Sequence, residues 1–132
     1  MNKISVKTSK HEELVDITNQ VREFVETSAV DEGAVLIYSP HTTAGIIINE
    51  GADPEVARDV LTTLHRVFPW NGAYRHMEGN AAAHIKSIVT GPEKLVPIEK
   101  GKLSLGTWQH IFFIEFDGPR DRTLFLTILK TN

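Results

Sequence analysis

Three histidines in the middle of the chain lie in predicted loops or near a predicted helix start, and they are candidates for a catalytic or metal-binding site. His41 lies between two predicted strands, His76 lies in a long loop, and His84 lies in the first turns of a predicted helix. The positive end of the helix dipole disfavours a protonated imidazole, and a neutral imidazole is the form that binds a metal ion or accepts a proton. Their spacing matches no zinc signature, so two interpretations stay open: one shared metal or acid–base site, or three separately satisfied side chains.

A second polar group lies at a junction between a strand and a helix. Asn49 and Glu50 end a predicted strand, and Asp53 precedes Pro54 at a predicted helix start. An aspartate before a proline is typical of a helix N-cap, so Asp53 has a structural interpretation beside a functional one. Asn49 and Glu50 point to opposite faces of a strand, so only one of them faces a given site unless the strand ends there.

Four charged residues surround the turn at residues 118–119. If this turn joins the last two strands as a hairpin, Asp117 opposes Arg120 and Glu115 opposes Arg122. Cross-strand ion pairs would then account for all four charges without any functional role.

An arginine that is only partly engaged by a carboxylate can also bind phosphate through two parallel hydrogen bonds. Arg120 is the candidate for this role. Thr42 and Thr43 offer hydroxyl and amide donors to the same anion, and Gln109 lies further along the strand that leads to the turn. The sequence contains no phosphate-loop pattern, so the phosphate site is a hypothesis based on residue types.

The elements that position these residues follow from hydrophobic periodicity and turn residues. We expect the first two strands to pair across a polar turn and the last two to form a hairpin. Strand-rich ends around a helical middle favour a single α+β domain over residues 1–132 rather than a doubly wound parallel sheet. Strands are predicted at residues 4–8, 13–17, 34–38, 43–49, 94–99, 102–105, 108–116 and 123–129. Helices are predicted to begin near Thr18, Pro54 and Asn80, with Thr18 and Asn80 as N-cap residues.

Composition excludes several classes of function. The chain has 132 residues and no cysteine, which excludes disulfides, thiolate metal sites and cysteine nucleophiles. Its net charge of −3 argues against a general binder of nucleic acid. No apolar run approaches the roughly 20 residues that span a bilayer, and the first residues resemble no signal peptide. We therefore expect a soluble cytoplasmic protein without nucleic-acid or membrane partners.

Several segments, taken together, resemble the YjbQ family, small proteins described as secondary thiamine-phosphate synthases. They occur in the family's order over most of the chain, from about residue 35 onward. The matching segments are Ser39–Ala44, Asn49-Glu50, Asp53-Pro54, Asp59, Arg75-His76, Asn80–His84, Gly101, Leu105–Gln109 and Asp117–Arg120.

The resemblance implies an α+β domain with a mixed, curved, mostly antiparallel sheet and two or three helices, assembled as a homotrimer. It also implies a polar pocket near the subunit contacts around His41, His76 and His84, often with a bound metal or anion. The implied reaction joins hydroxymethylpyrimidine diphosphate to thiazole phosphate and releases diphosphate. Three imidazoles suit zinc, nickel or a similar cation, whereas Glu50 and Asp53 would favour magnesium or manganese.

Two hypotheses from different classes follow. The first is an enzyme that acts on a small phosphorylated molecule, with a divalent metal or histidine assistance. The second is a metal-binding or ligand-binding trimer without physiological turnover. The catalytic candidates are His41, His76, His84, Glu50 and Asp53; the three histidines are the candidate metal ligands; and the substrate-binding or phosphate-binding candidates are Thr42, Thr43, Asn49, Gln109 and Arg120.

Overall fold

The computed structural model describes residues 2–131, so residues 1 and 132 of the predicted domain lie outside it. Within these residues, eight strands and three helices form an α+β arrangement, as the periodicity predicted. Their bounds are β1 (Asn2–Lys7), β2 (Glu13–Asp16), α1 (Thr18–Thr27), β3 (Gly33–Tyr38), β4 (Ala44–Glu50), α2 (Pro54–Val67), α3 (Ala81–Thr90), β5 (Glu93–Glu99), β6 (Lys102–Leu103), β7 (Gln109–Glu115) and β8 (Asp121–Lys130).

The strands form two sheets. One has five strands in the order β1-β8-β3-β5-β6, and the other has three in the order β2-β7-β4. Every strand pair in the described part of the chain is antiparallel, so the mixed sheet that the resemblance implied is corrected to an antiparallel one. The α+β class and the single domain with three helices agree with the sequence analysis.

Two predicted strand pairings are wrong. β1 pairs with β8 rather than β2, and β2 pairs with β7, so the first two strands belong to different sheets. β7 and β8 also lie in different sheets, so residues 116–120 connect the sheets instead of closing a hairpin. Alternating hydrophobic residues identify a strand with one buried face, but they do not identify the sheet to which the strand belongs. The β5–β6 hairpin forms as expected, with Lys100 and Gly101 at positive φ in its turn.

The main core lies between the two sheets and α1. Ile37 on β3, Leu126 on β8 and Phe113 on β7 are fully buried there, beside Val21 and Val25 of α1. A smaller core lies on the other face of the three-stranded sheet, where α2 and α3 pack on Ile114. β7 is therefore buried on both faces, which explains its nearly continuous hydrophobic sequence.

The helix ends depend on polar contacts that the sequence indicated only in part. Asp53 caps α2 as expected, because its Oδ1 accepts from the Glu55 N–H at 2.9 Å. Thr18 was expected to cap α1, but its own N–H and hydroxyl instead donate to Asp16 Oδ1. α3 ends at Gly91, whose φ of 89° is a conformation that glycine adopts without strain. No helix in residues 2–131 has the length and apolar character needed to cross a membrane.

Candidate functional site

Three connections between the two sheets meet at one end of the molecule. Thr8, just after β1, donates its hydroxyl to Glu115 Oε1 at 2.8 Å and accepts from the Arg120 N–H at 2.8 Å. Phe116 N–H donates to the Thr43 carbonyl at 3.1 Å. The connections are residues 8–12, 39–43 and 116–120. Side chains that are far apart in sequence are therefore held together by backbone and side-chain hydrogen bonds.

A cavity of about 320 Å³ opens at this end. Five of the predicted site residues line it, namely His41, Thr42, Thr43, His84 and Arg120. Its other polar walls include Glu78, Asn80, Asp117 and Arg122. Asn80 and Asp117 were identified in the sequence only as part of a helix start and an ion pair. Most ligand pockets are largely apolar, so a cavity with this many polar and charged side chains suits a charged small molecule better than an apolar one.

Beyond the end of β3, the side chain of His41 contacts β8 where the backbone of β3 no longer does. β3 pairs with β8 as far as Tyr38 and Phe125, and the His41 ring then contacts Thr123, two residues further along β8. His41 Nε2 lies 3.0 Å from both the N–H nitrogen and the carbonyl oxygen of Thr123. The tautomer decides which of these two bonds forms, and in both cases Nδ1 has no partner in the part of the chain that the structure describes.

The surroundings of His41 favour its neutral form. Burial lowers the pKa of His41, and the positive charges of Arg122 and, to a smaller extent, Arg120 lower it further. The hydrogen bond to Thr123 and the charge of Glu115 act in the opposite direction but do not outweigh the lowering. The imidazole is therefore uncharged at neutral pH and able to accept or donate a proton at Nδ1.

His76 and His84 lie beside each other at the pocket's rim. Their ring centroids are 5.1 Å apart and the rings are nearly perpendicular. Glu78 Oε2 lies 3.9 Å from His76 Nε2, and both side chains are largely exposed. The loop that precedes α3 therefore places His76 beside His84, and the hypothesis of one shared site requires these two side chains to be close.

The predicted three-histidine metal site is not assembled within residues 2–131. Among residues 2–131, no three histidine, aspartate or glutamate side chains lie together in a way that could hold a metal ion. His76 and His84 are neighbours, but His41 directs Nε2 to the backbone of Thr123. The three histidines therefore line or border one region without forming a closed ligand set.

Arg122 and Glu115 form a buried ion pair behind the pocket. Arg122 Nε donates to Glu115 Oε1 at 2.8 Å, Arg122 Nη2 also contacts Glu115 Oε2, and Nη2 donates to Thr43 Oγ1 at 2.9 Å. Burial alone would raise the pKa of Glu115, but hydrogen bonds from Arg122, the Asp117 N–H and Thr8 hold it below its ordinary value. The pairing expected from the sequence is thus present, but it joins two sheets and is not part of a hairpin.

Arg120 and Asp117 form a second ion pair, and this one faces the pocket. Arg120 Nε donates to the Asp117 carbonyl at 2.7 Å, and Nη2 donates to Asp117 Oδ2 at 3.1 Å. The arginine side chain is 54% exposed, whereas that of the aspartate is 15% exposed. Arg120 Nη1 has no partner among the described residues, so this edge of the guanidinium remains available to an anion.

Asn80 connects this ion pair to helix α3. Its Nδ2 donates to Asp117 Oδ2 at 3.0 Å, so the side chain does not cap the helix as the sequence predicted. Asn80 Oδ1 is buried and has no hydrogen-bond partner among residues 2–131. The first-turn amides of α3 are consequently left without a side-chain cap next to the cavity, where a helix dipole favours negative charge.

The remaining predicted site residues lie at the opposite end of β4 and β7. Glu50 Oε2 accepts from the Ala52 N–H at 2.6 Å, and Gln109 Oε1 accepts from the Gly106 N–H at 2.8 Å. Asn49 is in register with His110, at the same end of the strand pair. Six residues of extended strand, about 20 Å, separate this end from the pocket, so the folded chain does not bring these residues to His41.

An apolar surface lies along α2 and α3, beyond the pocket. α2 contains no fully buried residue, although its apolar positions follow helical spacing. Val67, Ile88 and Val89 are each more than half exposed. Val89 and Val60 border a groove of about 660 Å³ between α2, α3 and β4. An exposed apolar surface of this kind is characteristic of protein interfaces.

Comparisons with known proteins agree with this fold. The family profile described as UPF0047 protein YjbQ-like matches residues 2–131. UPF0047 protein YugU of Bacillus subtilis is 50% identical over 127 residues, which cover 96% of each chain. UPF0047 protein MJ1081 of Methanocaldococcus jannaschii is also 50% identical over 127 residues, covering 96% of this chain and 92% of its own.

Solved structures show the same architecture. The crystal structure of an uncharacterized conserved YjbQ/UPF0047 protein from Clostridium acetobutylicum has a TM-score of 0.96 and 52% identity, covering 98% of this chain and 100% of that one. A YbjQ-like protein of unknown function from Sulfolobus solfataricus has a TM-score of 0.95 and 38% identity, covering 98% and 96%. The profile, the curated relatives and the solved structures therefore agree that this chain belongs to the YjbQ (UPF0047) family.

Proposed function

We propose that this protein is an enzyme acting on a small phosphorylated molecule in the pocket between His41 and His84, with a reaction of the secondary thiamine-phosphate synthase type. One observation carries the proposal: Arg120, Thr42 and Thr43 line the same cavity as the two histidines. Groups suited to holding a phosphate and groups suited to moving a proton are thus within reach of one ligand.

The phosphate side of the pocket is supplied by Arg120, the two threonines and the first turn of α3. Release of diphosphate requires neutralisation of the charge on the leaving oxygens more than it requires a nucleophilic side chain. Arg120 offers its free guanidinium edge, and Thr42 offers an exposed hydroxyl. Thr43 is buried and already accepts a hydrogen bond from Arg122, so its hydroxyl proton remains to be donated.

The histidines supply a proton to the departing diphosphate, because the thiazole nitrogen attacks the pyrimidine methylene carbon with its lone pair and releases no proton as the carbon–oxygen bond breaks. The backbone of Thr123 fixes the His41 ring through Nε2, which leaves Nδ1 as the nitrogen that acts on a ligand. His84 lies across the cavity on α3, with His76 against its ring. A positioned general acid or base typically contributes a factor of about 10² to 10⁴ in rate.

We include a divalent metal only as a separate part of the proposal. The His76–His84 pair would need a further ligand, from a substrate phosphate or from another protomer, to complete a coordination sphere. Metal analysis of the purified protein, followed by an assay after exhaustive chelation, tests this part alone. Turnover that survives complete metal removal would reject the metal and leave the histidine and arginine roles intact.

The proposed assembly is a homotrimer. The exposed apolar side chains of α2 and α3 supply a surface that association of protomers would cover, including Val67, Ile88 and Val89. The predicted roles of Asn49, Glu50, Asp53 and Gln109 depend on such an assembly, because one protomer keeps them a strand length from the pocket.

The experiment is an assay of thiamine-phosphate formation from hydroxymethylpyrimidine diphosphate and thiazole phosphate by the purified protein. His41→Asn, His76→Asn, His84→Asn and Arg120→Met test the pocket. His65→Asn is the matched control, because His65 is an exposed histidine on α2 outside the cavity. Phosphate binding without any turnover would instead identify a ligand-binding protein, and turnover that all four substitutions leave unchanged would reject the site.

A further inference from the structure

We propose that Asp117 is a positioning residue of the anion site, which orients Arg120 and Asn80 toward the pocket; this inference rests on the proposed phosphate-binding role of the cavity. Asp117 is mostly buried, and a single oxygen of its carboxylate, Oδ2, accepts from both Arg120 Nη2 at 3.1 Å and Asn80 Nδ2 at 3.0 Å. One carboxylate therefore links the connection between β7 and β8 to the start of α3.

The contacts with Arg120 fix the direction of the guanidinium. Arg120 Nε is held by the backbone carbonyl of Asp117, and Nη2 is held by its carboxylate. Two bonds to one planar group leave the guanidinium little freedom to rotate, and the edge that carries Nη1 is left open. A free arginine of this exposure would sample many rotamers, and binding an anion would then cost the entropy of ordering it.

The contact with Asn80 keeps that side chain away from the end of α3. Because Nδ2 donates to Asp117, the amide is oriented with Oδ1 on the other side, where it has no partner among the described residues. An asparagine released from Asp117 would be free to fold back and cap the helix, as asparagine commonly does. Asp117 thereby keeps the Asn80 side chain from capping α3, whose Ala83 N–H donates instead to the Asn80 backbone carbonyl.

A simple charge argument and a positioning role predict opposite changes in phosphate affinity when the Asp117 carboxylate is removed. Asp117 is negative and borders an anion site, so removing its charge alone should strengthen phosphate binding. If Asp117 acts by positioning, removing its oxygen atoms should weaken phosphate binding although a repulsive charge has gone. Asparagine separates the two effects, since it keeps an acceptor oxygen and lacks the charge.

The test is isothermal titration calorimetry, which measures the affinity of the protein for inorganic phosphate at fixed ionic strength. We expect Asp117→Ala to weaken phosphate binding roughly tenfold, as the loss of an oriented charge-assisted contact would. Asp117→Asn should bind phosphate at least as tightly as the unmodified protein. A serine side chain suits a turn but is too short to hold Arg120, so Asp117→Ser should bind phosphate as weakly as the alanine variant. It is used in place of the alanine variant if that variant does not fold.

The matched control is Glu55→Ala. Glu55 and Arg58 form an ion pair with the same i, i+3 spacing, at 3.5 Å, on the exposed face of α2. Its removal should leave phosphate binding unchanged. Unfolding midpoints measured in parallel show whether any loss of binding only follows a loss of folded protein.

The outcomes separate this inference from the proposed reaction. Phosphate binding by Asp117→Ala that equals or exceeds that of the unmodified protein would overturn the positioning role. A protein that binds no phosphate at all would overturn both the role of Asp117 and the phosphate pocket. Phosphate binding with the expected order of affinities but without thiamine-phosphate formation would support Asp117 as a positioning residue and reject only the reaction.

Discussion

Arg122 on β8 and Glu115 on β7 are buried against each other, so one ion pair joins the two sheets where the pocket opens. Thr8 and Thr43 complete the hydrogen bonds of this pair. Although Arg122 also lines the cavity, its Nε and Nη2 are engaged by Glu115 and Thr43, and the pair is almost fully buried. Its main role is therefore to hold the connections that carry the site.

Glu115→Gln tests that role. The substitution leaves a buried guanidinium without its counter-ion, and we expect it to lower the free energy of unfolding by about 3 kcal/mol or more. Urea unfolding at pH 7 measures the change. A loss below about 1 kcal/mol would show that the pair does not hold the sheets together.

Acid should weaken the same contact. Because the folded-state pKa of Glu115 is depressed, its contribution to stability is present above the carboxyl pKa of the unfolded chain, near 4.5, and is lost as pH falls through the folded pKa. Urea midpoints between pH 7 and pH 3 should fall more steeply for the unmodified protein than for Glu115→Gln. Parallel curves would contradict the assignment.

The positions of the strands and helices could be predicted from the sequence, but most of the strand pairings could not. The sequence predicts strands at residues 13–17 and 108–116, yet the pairing of these two strands depends on contacts that a local pattern does not encode. The convergence of His41, His84 and Arg120 depends on the chain changing sheets at residues 39–43 and 116–120. The family resemblance implied the grouping of His41 with His84, residue type alone suggested Arg120, and hydrophobic periodicity supplied only the elements.

The hydrogen bond between Asn80 and Asp117 could not be predicted from the types of these residues. Asn80 is locally interpretable as a helix cap and Asp117 as the ion-pair partner of Arg120; the structure keeps the ion pair but joins Asn80 to Asp117 in place of the cap. The hydrogen bond spans 37 positions in sequence, so no local pattern indicates it. Asp53 is the opposite case, because its local capping interpretation is the contact that the structure shows.

The protonation state of His41 can be followed directly. Burial and the charges of the nearby arginines lower its pKa below 6.5, so its NMR resonances should titrate below that pH. Arg120→Ala should raise the pKa of His41, because it removes one of the positive charges that lower it. Arg22→Ala, on the exposed face of α1, is the control and should leave the titration unchanged. A His41 pKa above 6.5 would contradict the neutral imidazole.

Asp53 should contribute to stability as a cap of α2. Asp53→Ala removes the acceptor for the Glu55 N–H, and we expect a loss of about 1 kcal/mol. Asp53→Ser provides another good capping side chain and should restore most of the loss. Thermal and urea unfolding measure both variants. A serine variant as unstable as the alanine variant would show that capping is not the source of the effect.

The proposed trimer can be tested on its apolar surface. Val89 is 57% exposed on α3, so Val89→Glu should leave the protomer folded and dissociate an assembly that covers this face. Thr27→Glu places the same charge at the exposed end of α1 and should have no effect on association. Sedimentation velocity gives the oligomeric state. A trimer that persists in Val89→Glu would place the subunit contacts elsewhere.

The most direct test of the central claim is kcat/KM for thiamine-phosphate formation by His41→Asn, compared with His65→Asn and the unmodified protein. Our account predicts a fall of about 100-fold or more in the His41 variant, from the loss of a positioned proton-transfer group, and no change in the His65 variant. Equal kcat/KM values for all three proteins would contradict the assignment of the pocket as the site of reaction.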